Sequence, residues 1–503
     1  MFRPAPAILA LACIGLLAFQ GNLGAQPSVA QVVIARGADI LTADPTIDAY
    51  NVHGTVFVNT CDTLVAFGAG GKLEPRIAES WKIEDPRTYL FKLRQDVRFH
   101  DVSPLTADDV KFTLDRIVDP NTKSQLASDF ATVIASTQVV DRHTVRVHLK
   151  VPLVPFLNQM PFIFVISKAA FEKVGEKEFG RKPVCAGPYR FTEWVPNERI
   201  VLDRFDGYYR GPVKVGRVVI RTIPAPATRV SALRTGEVDL IEGVPPDQMD
   251  VIERDAKLRV ESAPSGRILF FYMQSLREGP FRDKRVRQAL NHAIDWQAIS
   301  KAVYGGHARP ATSPILPHVF GYKRVVRYFY DPARARTLLA EAGLPNGFST
   351  VMDSPSGRYF RDRELAQAVS GFLEQVGVKV ELRTYEWGQY LRLYRGAQVQ
   401  LGLFGYLNIF RDFDDIALHF EPDRRGFYWN DPRLTQLFRD GRATTDPNRR
   451  KAIYSRALDL IMEEAPWLFG VEIENIYGVS RRLQWTPTPG TDDVSMHKAA
   501  TQP

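Results

Sequence analysis

The chain has 503 residues, of which 45% are apolar and 24% charged, with a net charge of +8 and three cysteines. That length supports two or three domains with sizeable cores, and the composition excludes long disordered arms. The 65 Lys and Arg residues are scattered through predicted helices and strands without a basic run, so the excess charge reads as solvated faces and not as a nucleic-acid footprint.

At the N-terminus, Arg3 precedes an apolar run from Ala7 to Phe19, and Leu23-Gly24-Ala25 offers small residues before a cut ahead of Gln26. This is the pattern of a secretory signal over residues 1–25. The run is too short for a membrane span and no later stretch is long and apolar enough to be one, which predicts a secreted, soluble protein. Cys13 lies inside the apolar run, leaving Cys61 and Cys185. No CxxC or Cys/His spacing points to zinc, so two inert thiols or one bridge in an oxidising compartment remain open.

Gln31 to Ala35 is the first predicted strand, and Asn51 to Val65 predicts a helix followed by a strand. From Thr88 to Phe99, Tyr89, Phe91, Leu93, Val97 and Phe99 alternate with Leu90, Lys92, Arg94 and Arg98, the period of a half-buried strand in a hairpin. Thr106 and Asp109 then resemble a capping box for a helix with Val110, Leu114, Ile117 and Val118 on one stripe. Thr144 to Leu149, Arg199 to Arg204 and Arg217 to Ile223 read as strands, and Ala227 to Leu240 as a helix closed by Gly236 before another strand. Further on, Asp295 caps a helix with Trp296, Ile299 and Val303, and Asp331-Pro332 opens another. A stripe from Leu365 to Val376 ends at Gly377, before the alternation of Val378, Val380 and Leu382. Strands alternating with helices imply α/β lobes, each with its own sheet.

The block from Leu73 to Ile117, LEPRIAESWKIEDPRTYLFKLRQDVRFHDVSPLTADDVKFTLDRI, resembles the signature of the family 5 extracellular solute-binding proteins of ABC importers. Three further segments resemble the family: Lys182 to Tyr189 its P-V-G-T-G-P-Y loop, Ala227 to Leu240 its T-R-x-x-A-L-x-x-G-E-V-D segment, and Val286 to Asp295 its V-R-x-A-[LI]-x-x-A-I-D segment. The resemblance runs from about Val32 to Val479 and implies an α/β class II periplasmic-binding-protein fold with two lobes around a ligand cleft. The first lobe is then discontinuous: residues 26–70, an inserted subdomain over 71–182, a continuation over 183–267, and a return with a C-terminal tail over 470–503. The second lobe takes 268–469. Cys61 and Cys185 replace an aromatic and a glycine of the family, so the resemblance does not settle their state; a bridge between them is the expectation set here.

By the same resemblance, the protein captures a small ligand in the periplasm by lobe closure, a dipeptide or short peptide-like compound first. It then acts as a monomer, without cofactor, metal or nucleic acid, and passes its ligand to an inner-membrane ABC permease with its ATPase. A metal chelate, an opine or another amino-blocked acid is the alternative ligand, and a ligand-presenting sensor without transport the alternative role. No GxSxG, HExxH, P-loop or kinase motif supports catalysis, and His100 reads as a turn residue of the signature.

The resemblance also implies a site. Arg358 aligns with the arginine that pairs with a ligand carboxylate, a role suited to a planar guanidinium with two parallel donors. Trp387 and Tyr406 line the pocket, with Tyr406 standing for the usual Trp, while Asp39 and Ile40 line it through backbone; Asn408, Ile409 and Phe410 complete the set. Core packing is the other reading of Trp387 and Tyr406, a loop-stabilising carboxylate that of Asp39, and a surface ion pair with Asp362 that of Arg358. Ile409 occupies the place of an aspartate that holds a peptide ammonium in relatives, and an apolar side chain cannot neutralise that charge. Either Asp412, Asp414 or Asp39 takes over, or the ligand has an acidic end and a blocked or absent amine.

Overall fold

The computed structural model describes residues 30–49, 52–68, 71–421 and 427–501; the signal reading of 1–25 lies outside the described residues. Strand Gln31–Arg36 places Val32 and Ile34 in the core and pairs in parallel with Arg217–Thr222 on one side and Leu240–Glu242 on the other. Arg199–Arg204 and Tyr189–Val195 extend this half antiparallel. The other half is built on Phe348–Pro355, which runs parallel to Val378–Tyr385 and to Leu401–Leu407. The helix Asp362–Glu374 makes the crossover between the first two, as a parallel pair requires.

Two long antiparallel strands, Leu258–Met273 and Trp467–Ser480, pass from one half to the other and join both into one sheet. In the second lobe the first of them is buried on both faces. Leu269, Phe271 and Met273 enter one core, while Ile268, Phe270 and Tyr272 enter another, as a period of two demands. The register between these strands breaks between Pro264 and Ile268. Gly266 lies there with φ 78°, and a Cβ on it would approach the Gly490 carbonyl oxygen to 2.7 Å. Glycine is therefore needed for the handedness of the backbone and for the C-terminal tail that crosses at the break.

The inserted four-stranded sheet has the order Ala78–Asp85, Thr88–Leu93, Thr144–Leu149, Ile134–Asp141. Its predicted strand to Phe99 stops at Leu93 because the chain turns where Arg94 doubles back on Asp96, at 2.9 and 2.6 Å; Val97 and Phe99 stay buried nonetheless. The helix Ala107–Val118 starts at the predicted cap. Asp109 accepts the Thr106 N–H at 2.9 Å and the Lys168 N–H at 3.0 Å, so one carboxylate starts this helix and anchors the start of the later helix Lys168–Phe179.

The signature turn is tied to the later loop. The His100 N–H donates to the Cys185 carbonyl at 2.8 Å and its Nε2 bonds the Gly187 carbonyl at 3.1 Å; burial pushes the imidazole pKa down to about 4. Cys61 and Cys185 are both buried and form a disulfide with Cα atoms 4.8 Å apart, which resolves the open alternative of the sequence. The tail returns to the first-lobe core through Trp485, Val494 and Met496. The Asn59 amide fixes it there by bonding the Val494 carbonyl at 2.8 Å and the Met496 N–H at 2.7 Å.

Candidate functional site

Beside the break in the crossing strands, a cavity of about 220 Å³ lies between the two halves of the sheet. Three of its charged walls stand at the carboxyl ends of parallel strands: Arg36 closes Gln31–Arg36, Glu242 closes Leu240–Glu242, and Arg358 follows Phe348–Pro355. That crevice is where open α/β sheets bind ligands. Arg267, Asn475 and Asp492 line it from the crossing strands and the tail.

Arg358 is set by its loop. The Asp362 carboxylate accepts the N–H groups of Gly357, Arg358 and Tyr359 at 3.1, 2.8 and 3.0 Å, which holds the turn at the start of the following helix in one shape. The guanidinium then rests against two rings, 5.0 Å from the Trp387 centroid and 5.2 Å from that of Tyr359. These contacts orient a cation without consuming its in-plane donors. Burial lowers the Arg358 pKa, and the nearby Arg267 charge lowers it further. Both effects favour an anion between the two guanidinium groups.

Arg267 donates to Asp492 at 3.0 Å, and Asn475 donates to the other Asp492 oxygen at 2.9 Å. Glu242 faces Arg36 with Oε2 3.7 Å from Nε, beyond hydrogen-bond length. Burial raises the Glu242 pKa, against the pull of Arg36 and Arg229.

Of the residues singled out in the sequence, Arg358 lines this cavity and Trp387 supports it. Trp387 also packs on Tyr390 and Phe404, so it serves core and site together. Tyr406 is buried edge-on against His419, with centroids 4.7 Å apart. Asn408 joins the break in the crossing strand, its N–H donating to the Gly266 carbonyl at 3.2 Å and its Oδ1 accepting the Leu316 N–H at 3.2 Å. Ile409 is half-buried. Phe410 reaches across to Phe162 and Phe130 of the inserted subdomain, at 5.4 and 6.5 Å.

Asp39 accepts the Trp194 indole N–H at 2.9 Å and the Asn197 N–H at 2.7 Å, the geometry of a loop-stabilising carboxylate, and Ile40 is packed in the first-lobe core. Asp412 pairs with Arg450 through two bonds of 2.7 and 2.6 Å. Asp414 pairs with Arg442, which also takes Glu421. The three carboxylates named as substitutes for the missing ammonium partner are thus each engaged within the protein.

Arg36, Glu242, Arg267, Asn475 and Asp492 carry no motif. Arg36 and Glu242 stand at the ends of strands distant in sequence, and Asp492 comes from a tail without periodicity.

Among the described residues, no three His, Cys, Asp or Glu side chains gather as metal ligands, and no helix is long and apolar enough to cross a membrane. Comparison with known proteins agrees with the two-lobed architecture. The chain is 34% identical over 458 residues to the glutathione-binding protein GsiB of Pectobacterium atrosepticum, covering 87% of each. It superposes with a TM-score of 0.82 and 28% identity on the periplasmic binding protein DppA of Helicobacter pylori in complex with the peptide STSA, covering 94% of this chain and 98% of that one. The binding protein AgaA of A. tumefaciens R10, in complex with agropinic acid, gives a TM-score of 0.81 at 26% identity, covering 94% and 99%. The profile of the bacterial extracellular solute-binding proteins, family 5, matches residues 72–425, and it is to this family that the chain belongs.

Proposed function

We propose that the mature protein is a monomeric periplasmic receptor that closes its two lobes on an anionic, peptide-like solute and hands it unchanged to an inner-membrane ABC permease driven by its ATPase. The observation that carries this reading is Arg358, held on the Trp387 and Tyr359 rings beside Arg267 at the carboxyl ends of parallel strands. A guanidinium pair of this kind suits a ligand carboxylate, because bidentate charge-assisted bonds are strong where water is excluded. The cavity of about 220 Å³ lies below the usual 300–1,000 Å³ or so of a drug-sized site, which favours a small solute over a long peptide. A relative at 34% identity is named for glutathione binding, and glutathione has this chemistry: a short peptide with two carboxylates.

Mass spectrometry of what co-purifies with the native protein, followed by calorimetry with glutathione and with ordinary dipeptides, tests the proposal. Failure of any carboxylate-bearing peptide-like compound to bind overturns it. Ile409, apolar where peptide-binding relatives are expected to carry an aspartate, favours a second reading in which the solute is an opine or another amino-blocked acid.

A further inference from the structure

We propose that Glu242 accepts the ammonium group of the ligand, so that the cavity reads a zwitterion, with its cation toward Glu242 and its carboxylate toward Arg358 and Arg267. This deepens the peptide-like reading above and rests on it. The cavity wall carries the carboxylates of Glu242, Glu474 and Asp492. Asp492 is taken by Arg267 and Asn475. Glu474 is taken by His307 at 2.9 Å and Arg309 at 3.4 Å. Glu242 differs from both: Oε1 is enclosed and receives no hydrogen bond from the described residues, while Oε2 is 3.7 Å from Arg36 Nε.

The backbone of Glu242 is fixed nonetheless. Its strand pairs with Tyr477, and Arg229 Nε donates to the Glu242 carbonyl at 3.0 Å, so the side chain stands at a defined place on a rigid edge. The Glu242 side chain is 20% exposed through the cavity, but an enclosed carboxylate oxygen without an N–H donor is costly to keep. An ammonium group brings three donors, and the carboxylate of a zwitterion then faces Arg358 and Arg267 across the cavity. The burial that raises the Glu242 pKa is the same shielding that makes an ion pair formed there strong.

The test uses two matched pairs on the mature chain by calorimetry: glutathione with N-acetylglutathione, and an ordinary dipeptide with its N-acetyl form. In the pair that binds, the free amine is expected to be preferred by about 10- to 100-fold, the range of a charge-assisted bond. Glu242→Gln should abolish that preference, weakening the free-amine compound relative to its acetylated partner, in a variant whose cooperative melting shows that it still folds. Equal affinities within a pair, or a preference that survives Glu242→Gln, overturns the inference. Binding confined to the acetylated compounds overturns it and leaves the carboxylate reading standing, whereas no binding by any of the four overturns both.

Discussion

Arg267 and Asp492 meet in the wall of the cavity, Nη2 to Oδ2 at 3.0 Å, and thereby tie the break in the first crossing strand to the C-terminal tail. The arginine side chain is only 9% exposed and the aspartate 28%, so the pair is less screened than a surface bridge. Asp492→Ala is expected to destabilise the protein by about 1.5 to 3 kcal/mol, the range of a hydrogen bond to a charged group. Chemical denaturation measures it, and an unchanged midpoint would refute the tether.

Arg358→Ala should weaken binding of a carboxylate ligand by about 2 to 5 kcal/mol, since it leaves a buried anion without its fork. Arg358→Lys should recover only part of this, because an ammonium lacks the planar pair of donors and rests less well on Trp387 and Tyr359. Calorimetry with both variants decides the point; lysine performing as well as arginine would show that charge alone matters there.

The Cys61–Cys185 bridge closes a separation of 124 residues. Its removal in Cys61→Ser should cost about 2 to 5 kcal/mol of stability. Thiol titration of the denatured, unreduced mature protein is expected to find no free cysteine, and two titrating thiols would contradict the bridge.

Contacts between the lobes differ in weight. Arg361 reaches Asp247 at 2.6 Å, but the aspartate side chain is 63% exposed, and such pairs contribute up to about 1 kcal/mol. Phe410 is buried against Phe162 and Phe130, and an aromatic of this kind contributes about 1.5 to 3 kcal/mol. Phe410→Ala should therefore weaken ligand binding and blunt the ligand-induced compaction seen by X-ray scattering far more than Asp247→Asn does. The reverse order would mean that the ion pair, and not the apolar contact, holds the lobes closed.

Burial raises the Glu472 pKa to about 7, with Arg309 opposing the shift. In the unfolded chain its carboxyl ionises near 4.3 or so, so between that pH and about 7 the folded state holds more protons and this residue's contribution to stability falls as pH rises. Relative to Glu472→Gln, which does not titrate, the wild-type melting temperature should decline across that window and run parallel to the variant above it. Parallel curves from pH 4 to 8 would exclude the shift.

The signature block made most of this architecture legible, because its elements carry local signals: the Thr106–Asp109 cap, the buried alternation of Tyr89, Phe91 and Leu93, and the glycines closing helices. Arg358 and Trp387 were legible because they sit in short recognisable segments. Arg36, Glu242 and Asp492 were not, since what unites them is the ends of strands distant in sequence and a tail that lacks periodicity. The end of the strand at Leu93 was also hidden, because an Arg94–Asp96 turn leaves the apolar alternation intact.

The disulfide bears on how the inserted sheet comes loose on unfolding. Its Cα atoms are 4.8 Å apart, and the whole inserted four-stranded sheet lies between the two cysteines, so the bridge adds a covalent neck to the core that this sheet shares with the first lobe. Because both ends of this segment are stapled and its apolar side chains share one core with Val32, Ile34 and Val218, the inserted sheet and the first lobe are expected to melt as one cooperative unit.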